Sequence, residues 1–181
     1  YIAAGHQWPE WEGTPESAAK YLLEDVLADF CFKDEASRAH ALALMLLPIV
    51  RPGLGAQTPL HVIDAPVQNS AKSLLARVLR KATQGDKVQP KTNPDNEEEW
   101  PKTIITALRS LPAYVFFDDI DGRLSSGALN GVLTATEWSG RLLGTNDDWT
   151  GPNDAAWVIT SNNVSLSKDL AERTVYIRLD T

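Results

Sequence analysis

Lys72 and Ser73 stand where a short apolar run, Leu60-His61-Val62-Ile63, gives way to a helical pattern. A phosphate-binding loop makes three demands of such a junction: consecutive backbone N–H groups around the anion, an ammonium that reaches the β- and γ-phosphate oxygens, and a hydroxyl for Mg²⁺, all at a helix N-terminus. Lys72 and Ser73 meet the last two. The candidate contact residues continue on either side, with Pro66, Val67, Gln68, Asn69, Ser70 and Ala71 before the lysine and Leu74 after the serine. Against the pattern G-x-x-x-x-G-K-[ST], Pro66 replaces the first glycine and Ala71 the second. Asn69 tolerates left-handed backbone angles, so a bend there survives. Ala71 adds a methyl where phosphates approach, and Pro66 removes a donor. An ordinary strand-to-helix turn carrying a solvated lysine would read the same way.

Asp118 and Asp119 follow a second apolar run, Tyr114-Val115-Phe116-Phe117. A carboxylate ending a buried strand next to the phosphate-loop strand suits a nucleotide-bound Mg²⁺, which takes oxygen ligands and keeps several waters. Asp118 is assigned to Mg²⁺ and Asp119 to orienting or deprotonating the attacking water. Thr160-Ser161-Asn162-Asn163 closes a third apolar run, where the Asn162 amide is placed to sense a γ-phosphate or that water. The bland alternatives are a pair of loop-starting aspartates and a polar turn held by Asx bonds. Arg173 follows a short helical stretch, and in a ring it could reach a neighbour's γ-phosphate to stabilise transition-state charge.

These groups need a parallel sheet to bring them together. From Pro59 onward, short apolar runs alternate with helical stretches, the pattern of βαβ units covered on both faces. The spacing predicts a helix over 72–84, with Arg77, Arg80 and Lys81 outward, and another from about 96 to 110 on Trp100, Ile104 and Leu108. Ser125 or Ser126 caps a further helix. Arg141-Leu142-Leu143-Gly144 and Ala155-Ala156-Trp157-Val158-Ile159 read as a hairpin feeding the third core strand. A short helix near 166–172 and a strand at Val175-Tyr176-Ile177 follow. Upstream, Thr14-Pro15 opens a helix over about 15–30, and Asp34 caps one over about 35–50 that Pro52 and Gly53 stop. Residues 1–55 are thus a lead-in and helical hairpin packed on a core spanning 56–181.

A net charge of −7 argues against a broad basic face for duplex DNA, though a ring can carry basic loops in its channel. The longest apolar run, Ala39–Val50, is about 12 residues, short of the roughly 20 a bilayer requires. No signal peptide is visible at the N-terminus, and a cytoplasmic location without membrane contact is expected. The single cysteine, Cys31, excludes an internal disulfide and is expected as a small buried hydrophobe between Phe30 and Phe32.

Taken in order, the Lys-Ser, Asp-Asp, Asn and Arg stations resemble those of AAA+ ATPases. They are closer to the superfamily 3 helicase-like replication proteins of phages, plasmids and integrated elements. The resemblance runs over about 58–180. Thr160-Ser161-Asn162 looks like that group's motif C, Trp138-Ser139-Gly140-Arg141 belongs to a similar block, and Asp169-Leu170-Ala171-Glu172-Arg173 is similar to the arginine-finger segment. It implies a three-layer α/β P-loop NTPase core, ATP and Mg²⁺ as ligands, and a hexameric motor on single-stranded or forked DNA beside a primase or primase-polymerase. The helical or winged lid such relatives carry next is expected to be absent. Arg141 would touch phosphate and Trp149 would stack on a base in the channel hairpin. Relatives keep glycine at the positions of Asn69 and Ala71, which motivates the alternative of a degenerate module that recruits a replication partner without hydrolysis. A small-molecule kinase fits less well, since Asn162 and Arg173 suit a ring ATPase.

Overall fold

Continuous apolar runs become central strands when helices cover both faces of the sheet they join. The computed structural model describes residues 12–67, 70–84, 90–142, 144 and 147–180. In chain order these form α1 (Pro15–Tyr21), a π-helical turn (Leu22–Val26), α2 (Glu35–Leu54), β1 (Leu60–Asp64), α3 (Lys72–Gln84), α4 (Glu99–Leu108) and β2 (Tyr114–Ile120). They continue as β3 (Arg123–Leu124), α5 (Gly127–Thr134), β4 (Glu137–Arg141), β5 (Asp148–Pro152), β6 (Ala156–Ser161), β7 (Ser165–Leu166), α6 (Lys168–Ala171) and β8 (Thr174–Arg178).

The central sheet runs β2-β6-β1-β8, with every pair parallel. β6 therefore lies between β1 and β2, so the Asp-Asp strand is not next to the strand that leads to Lys72. Local periodicity says which segments are strands; their order depends on long-range pairing. At the outer edge Lys91 bridges to Phe117 in parallel, its N–H donating to Phe116 O at 2.8 Å.

Alternation along each strand sends side chains to opposite faces. Val62, Phe117, Trp157 and Ile159 pack with Trp100, Ile104 and Leu108 of α4 and Leu129 and Val132 of α5. On the other face Ile63, Tyr114, Phe116 and Val158 pack with Ala41, Leu44 and Met45 of α2 and Leu75 and Leu79 of α3. The result is α/β with helices on both sides of a parallel sheet. α2 is one of these covering layers. Each fully buried Leu or Ile contributes about 1.5–3 kcal/mol, so losing a few of these side chains would exhaust a typical net stability of about 5–15 kcal/mol.

The caps follow the sequence. Thr14 Oγ1 accepts from Ser17 N–H at 3.2 Å, Asp34 Oδ1 from Ser37 N–H at 2.7 Å, and Ser126 Oγ from Leu129 N–H at 3.0 Å. Several expectations are corrected. α1 ends at Tyr21, where the π-helical turn re-aims Leu22, Leu23 and Val26 onto the α2–α3 cluster. α2 runs through Pro48, Pro52 and Gly53 to Leu54 and ends on left-handed Gly55 (φ 58°). Its last turn is tied down by buried Arg51, which donates to Ala56 O and, at 2.7 Å, to Asn153 O. Cys31 is exposed, because Phe30 and Phe32 pack on the core and the residue between them faces away. Arg80 is buried, its guanidinium 4.8 Å from the Phe116 ring centroid.

The hairpin pairs β4 with β5, Arg141 opposite Asp148, rather than running into Ala155–Ile159. It lies on α4 closely enough that a Cβ on Gly140 would sit 2.6 Å from Ile105 Cδ1. Buried Asn153 anchors its exit, donating to Val132 O (2.6 Å) and Ala135 O (3.0 Å) and accepting from Trp157 Nε1 (3.0 Å). Among the described residues no helix is long and apolar enough to cross a membrane.

Candidate functional site

In open parallel sheets, ligands bind beyond the carboxyl ends of the strands. Here β1, β6 and β2 deliver Asp64, Ser161-Asn162 and Asp118-Asp119 to that edge, and α3 begins there with Lys72. Ser70, Ala71, Lys72, Ser73, Leu74, Asp118, Asp119 and Asn162 line one cavity of about 500 Å³. Gln68 and Asn69 lie outside the described residues.

Lys72 is not a solvated lysine. It is 6% exposed, and its Nζ donates to Val67 O (3.2 Å), Ser70 Oγ (2.9 Å) and Asn162 Oδ1 (2.6 Å). All three acceptors are neutral. Among the described residues no carboxylate oxygen lies within 4.0 Å of this ammonium. Asp118 and Asp119 share the cavity without pairing directly with the ammonium, so an incoming anion would be its first direct counter-charge. α3 points its N-terminus the same way, and its first internal hydrogen bond is Leu75 N–H to Ala71 O at 2.8 Å. The N–H groups ahead of Leu75 are thus without helical partners.

Ala71 itself carries the left-handed turn into α3, at φ 61°. An alanine there is strained where glycine would not be. Pro66 takes part through its carbonyl, which accepts from Asn163 Nδ2 at 3.1 Å. Val67 and Leu74 are about half exposed on either side of the lysine, at 48% and 50%.

Ser73 Oγ donates to Asp118 Oδ1 at 2.8 Å, across the intervening strand β6. Thr160, 1% exposed on β6, fills the space between: its hydroxyl donates to the same Asp118 Oδ1 at 2.5 Å and accepts from Asp119 N–H at 2.8 Å. The β2–β6 register slips here, with Phe117 opposite Ile159 but Ile120 opposite Ser161. Three steps of β2 match two of β6, a bulge of one residue, and Asp119 within it has φ 58°. Regular alternation would send consecutive side chains to opposite faces. The bulge lets both aspartates line the cavity. Asn162 spans the gap, its Oδ1 on Lys72 and its Nδ2 donating to Asp119 Oδ1 at 3.1 Å.

A second tie joins the ends of β1 and β6. Asp64 Oδ1 accepts from Ser161 Oγ (2.7 Å) and from Asn163 N–H (2.8 Å), and Asn163 is left-handed at φ 56°. The chain therefore reverses directly after Asn162, which leaves the Asn162 amide projecting over Lys72.

Ser73 and Asp118 offer oxygen donors only, adjacent to each other. Among the described residues no group of three or more His, Cys, Asp or Glu side chains could hold a metal ion. That donor set fits Mg²⁺, which binds through one or two carboxylates together with phosphate and water, and does not suit zinc.

Arg173 lies apart from this cavity. Leu60 pairs with Thr174 and Asp64 with Arg178, so Arg173 precedes β8 at the opposite edge of the sheet, about 16 Å away at roughly 3.3 Å per residue. Its Nη1 donates to Asp169 O at 2.8 Å. It cannot reach its own chain's cavity. Arg141 is exposed at the loop end of the hairpin. Trp149 is half-buried against the core, its ring lying over Gly151, where an added Cβ would meet it at 2.3 Å. Only part of that indole is open to stack on a base.

Asp64, Thr160, Ser161 and Asn163 hold the site together; sequence reasoning placed Thr160 and Ser161 in the motif C resemblance and Asn163 in the same polar turn, but gave none of the four a bonding partner. The signal for the last three was a run of hydroxyl and amide residues ending an apolar strand, and for Asp64 its place directly after the run Leu60–Ile63. No protein-family model matches this chain, and no curated protein matches it.

Proposed function

We propose that the cavity binds ATP with Mg²⁺ and hydrolyses it in a P-loop NTPase core of the AAA+ or superfamily 3 type, as part of a DNA replication motor of a phage or mobile element. The observation that carries this reading is the buried Lys72 ammonium at the start of α3, held only by neutral oxygens.

On this reading Lys72 exchanges Val67 O, Ser70 Oγ and Asn162 Oδ1 for phosphate oxygens, aided by the free N–H groups of the α3 N-terminus. Ser73 and Asp118 would hold Mg²⁺, which when bound neutralises charge on the phosphate oxygens. Asp119 orients or deprotonates the attacking water. Asn162, released from Lys72, keeps its amide beside Asp119 and can donate to that water or to the γ-phosphate. Arg173 acts only in trans, from a neighbouring copy, so hydrolysis depends on assembly. Support for DNA as the partner is the sequence resemblance together with exposed Arg141, the last residue of β4 before the hairpin loop.

ATP turnover measured with and without single-stranded DNA, across a range of protein concentrations, tests this. Turnover is expected to need Mg²⁺, to rise with DNA and to rise more than linearly with protein concentration. Strained Ala71 favours a second reading, a module that binds nucleotide without turnover. Saturable ATP binding with no hydrolysis under any of these conditions would select it.

A further inference from the structure

We propose that Thr160 is a positioning residue whose single hydroxyl locks Asp118 and Asp119 into the bulged arrangement that aims both carboxylates into the cavity. The proposal rests on the Mg²⁺–nucleotide reading for its functional consequence, and on the geometry alone for the lock itself.

A hydroxyl has one hydrogen to give and lone pairs to accept with, so it can serve a carboxylate and an N–H at once. Thr160 does both: it donates to Asp118 Oδ1 at 2.5 Å and accepts from Asp119 N–H at 2.8 Å. It sits on β6 where three residues of β2 span two, so its side chain supplies the partner that the slipped register withholds from the Asp119 N–H. Asp119 is held at φ 58°, left-handed backbone that is uncommon outside glycine, although aspartate adopts it more readily than most side chains. Thr160 is 1% exposed, so its hydroxyl is itself closed to solvent and serves these two partners alone. Valine matches its shape and offers neither hydrogen bond. Serine keeps both.

The lock touches the aspartates directly and Lys72 only indirectly, through Asn162, which bridges Lys72 and Asp119; the other Lys72 partners are Val67 and Ser70. Loss of the hydroxyl should therefore separate phosphate binding from Mg²⁺ use and turnover.

The test compares Thr160→Val, Thr160→Ser and the unmodified chain by ATP titration with and without Mg²⁺, by steady-state turnover, and by the crystallographic φ of Asp119. Thr160→Val should bring Asp119 to negative φ and raise the Mg²⁺ concentration needed for half-maximal binding. It should lower kcat by about tenfold to a hundredfold, the cost of a misplaced catalytic group, with KM for ATP little changed. Thr160→Ser should restore all three. Should Thr160→Val fail to fold, Thr160→Ala is measured in its place with the same expectation. The proposal is overturned if the variant keeps Asp119 at positive φ with an unchanged Mg²⁺ requirement, or if serine is as impaired as valine. If the unmodified chain binds no nucleotide, the functional reading fails, and the φ of Asp119 alone decides the lock.

Discussion

Lys72 Nζ lies 2.6 Å from Asn162 Oδ1, so the ammonium of α3 and the amide ending β6 occupy each other before any phosphate arrives. Replacing this amide by a carboxylate gives a direct test. Asn162→Asp places a fixed counter-charge on Lys72 and a second negative group beside Asp119, both opposed to an incoming phosphate. ATP affinity should fall by about tenfold or more, which is about 1.4 kcal/mol or more, while the fold is retained. Calorimetric titration and circular dichroism check the two parts; unchanged affinity would show that Lys72 is not the phosphate ligand.

Ala71 at φ 61° gives the second prediction. Ala71→Gly removes a left-handed strain of about 1–2 kcal/mol and adds back roughly 0.5–1 kcal/mol of unfolded-state entropy. Stability should change little, rising by at most about 1.5 kcal/mol. ATP should bind at least a few-fold tighter, since a methyl leaves the cavity wall. Equal affinity would mean the methyl does not meet the phosphates.

His61 supplies a pH dependence. It is 4% exposed on β1, and burial, with a smaller contribution from the charge of His40, pushes its pKa down from 6.5 to about 4. Between those values the unfolded chain binds the proton and the folded chain does not, so stability is fully present above pH 6.5 and is lost as pH falls towards 4. The shift is worth on the order of 3 kcal/mol. Denaturant melts from pH 7.5 to 4 should show this slope, and His61→Leu should flatten it. An identical slope in both proteins would assign the effect to other groups.

The strands and most helices were legible because β1, β2 and β6 are unbroken apolar runs and α3 and α4 repeat every three to four residues. The order of the strands was not. Nothing local in Ala156–Ser161 says that it inserts between the Lys72 and Asp118 strands. Pro52 misled because a proline stops an isolated helix, whereas here Arg51 ties the last turn of α2 to Asn153, 102 positions away. Lys72, Ser73, Asp118 and Asn162 were legible as chemical types at strand ends. Thr160 was legible only as part of the Thr160-Ser161-Asn162 resemblance; what it and Asp64 do was hidden, since each acts through a partner 41 to 99 residues distant.

The central claim is that the Lys72 cavity is an anion site for a magnesium nucleotide, and calorimetric titration of the folded chain with ATP tests it most directly. The account predicts saturable binding that is strengthened by Mg²⁺ and weakened at least about a hundredfold, or about 2.8 kcal/mol, by Lys72→Ala. A folded protein that takes up no ATP, or a Lys72→Ala variant that binds it as well as the unmodified chain, would contradict it.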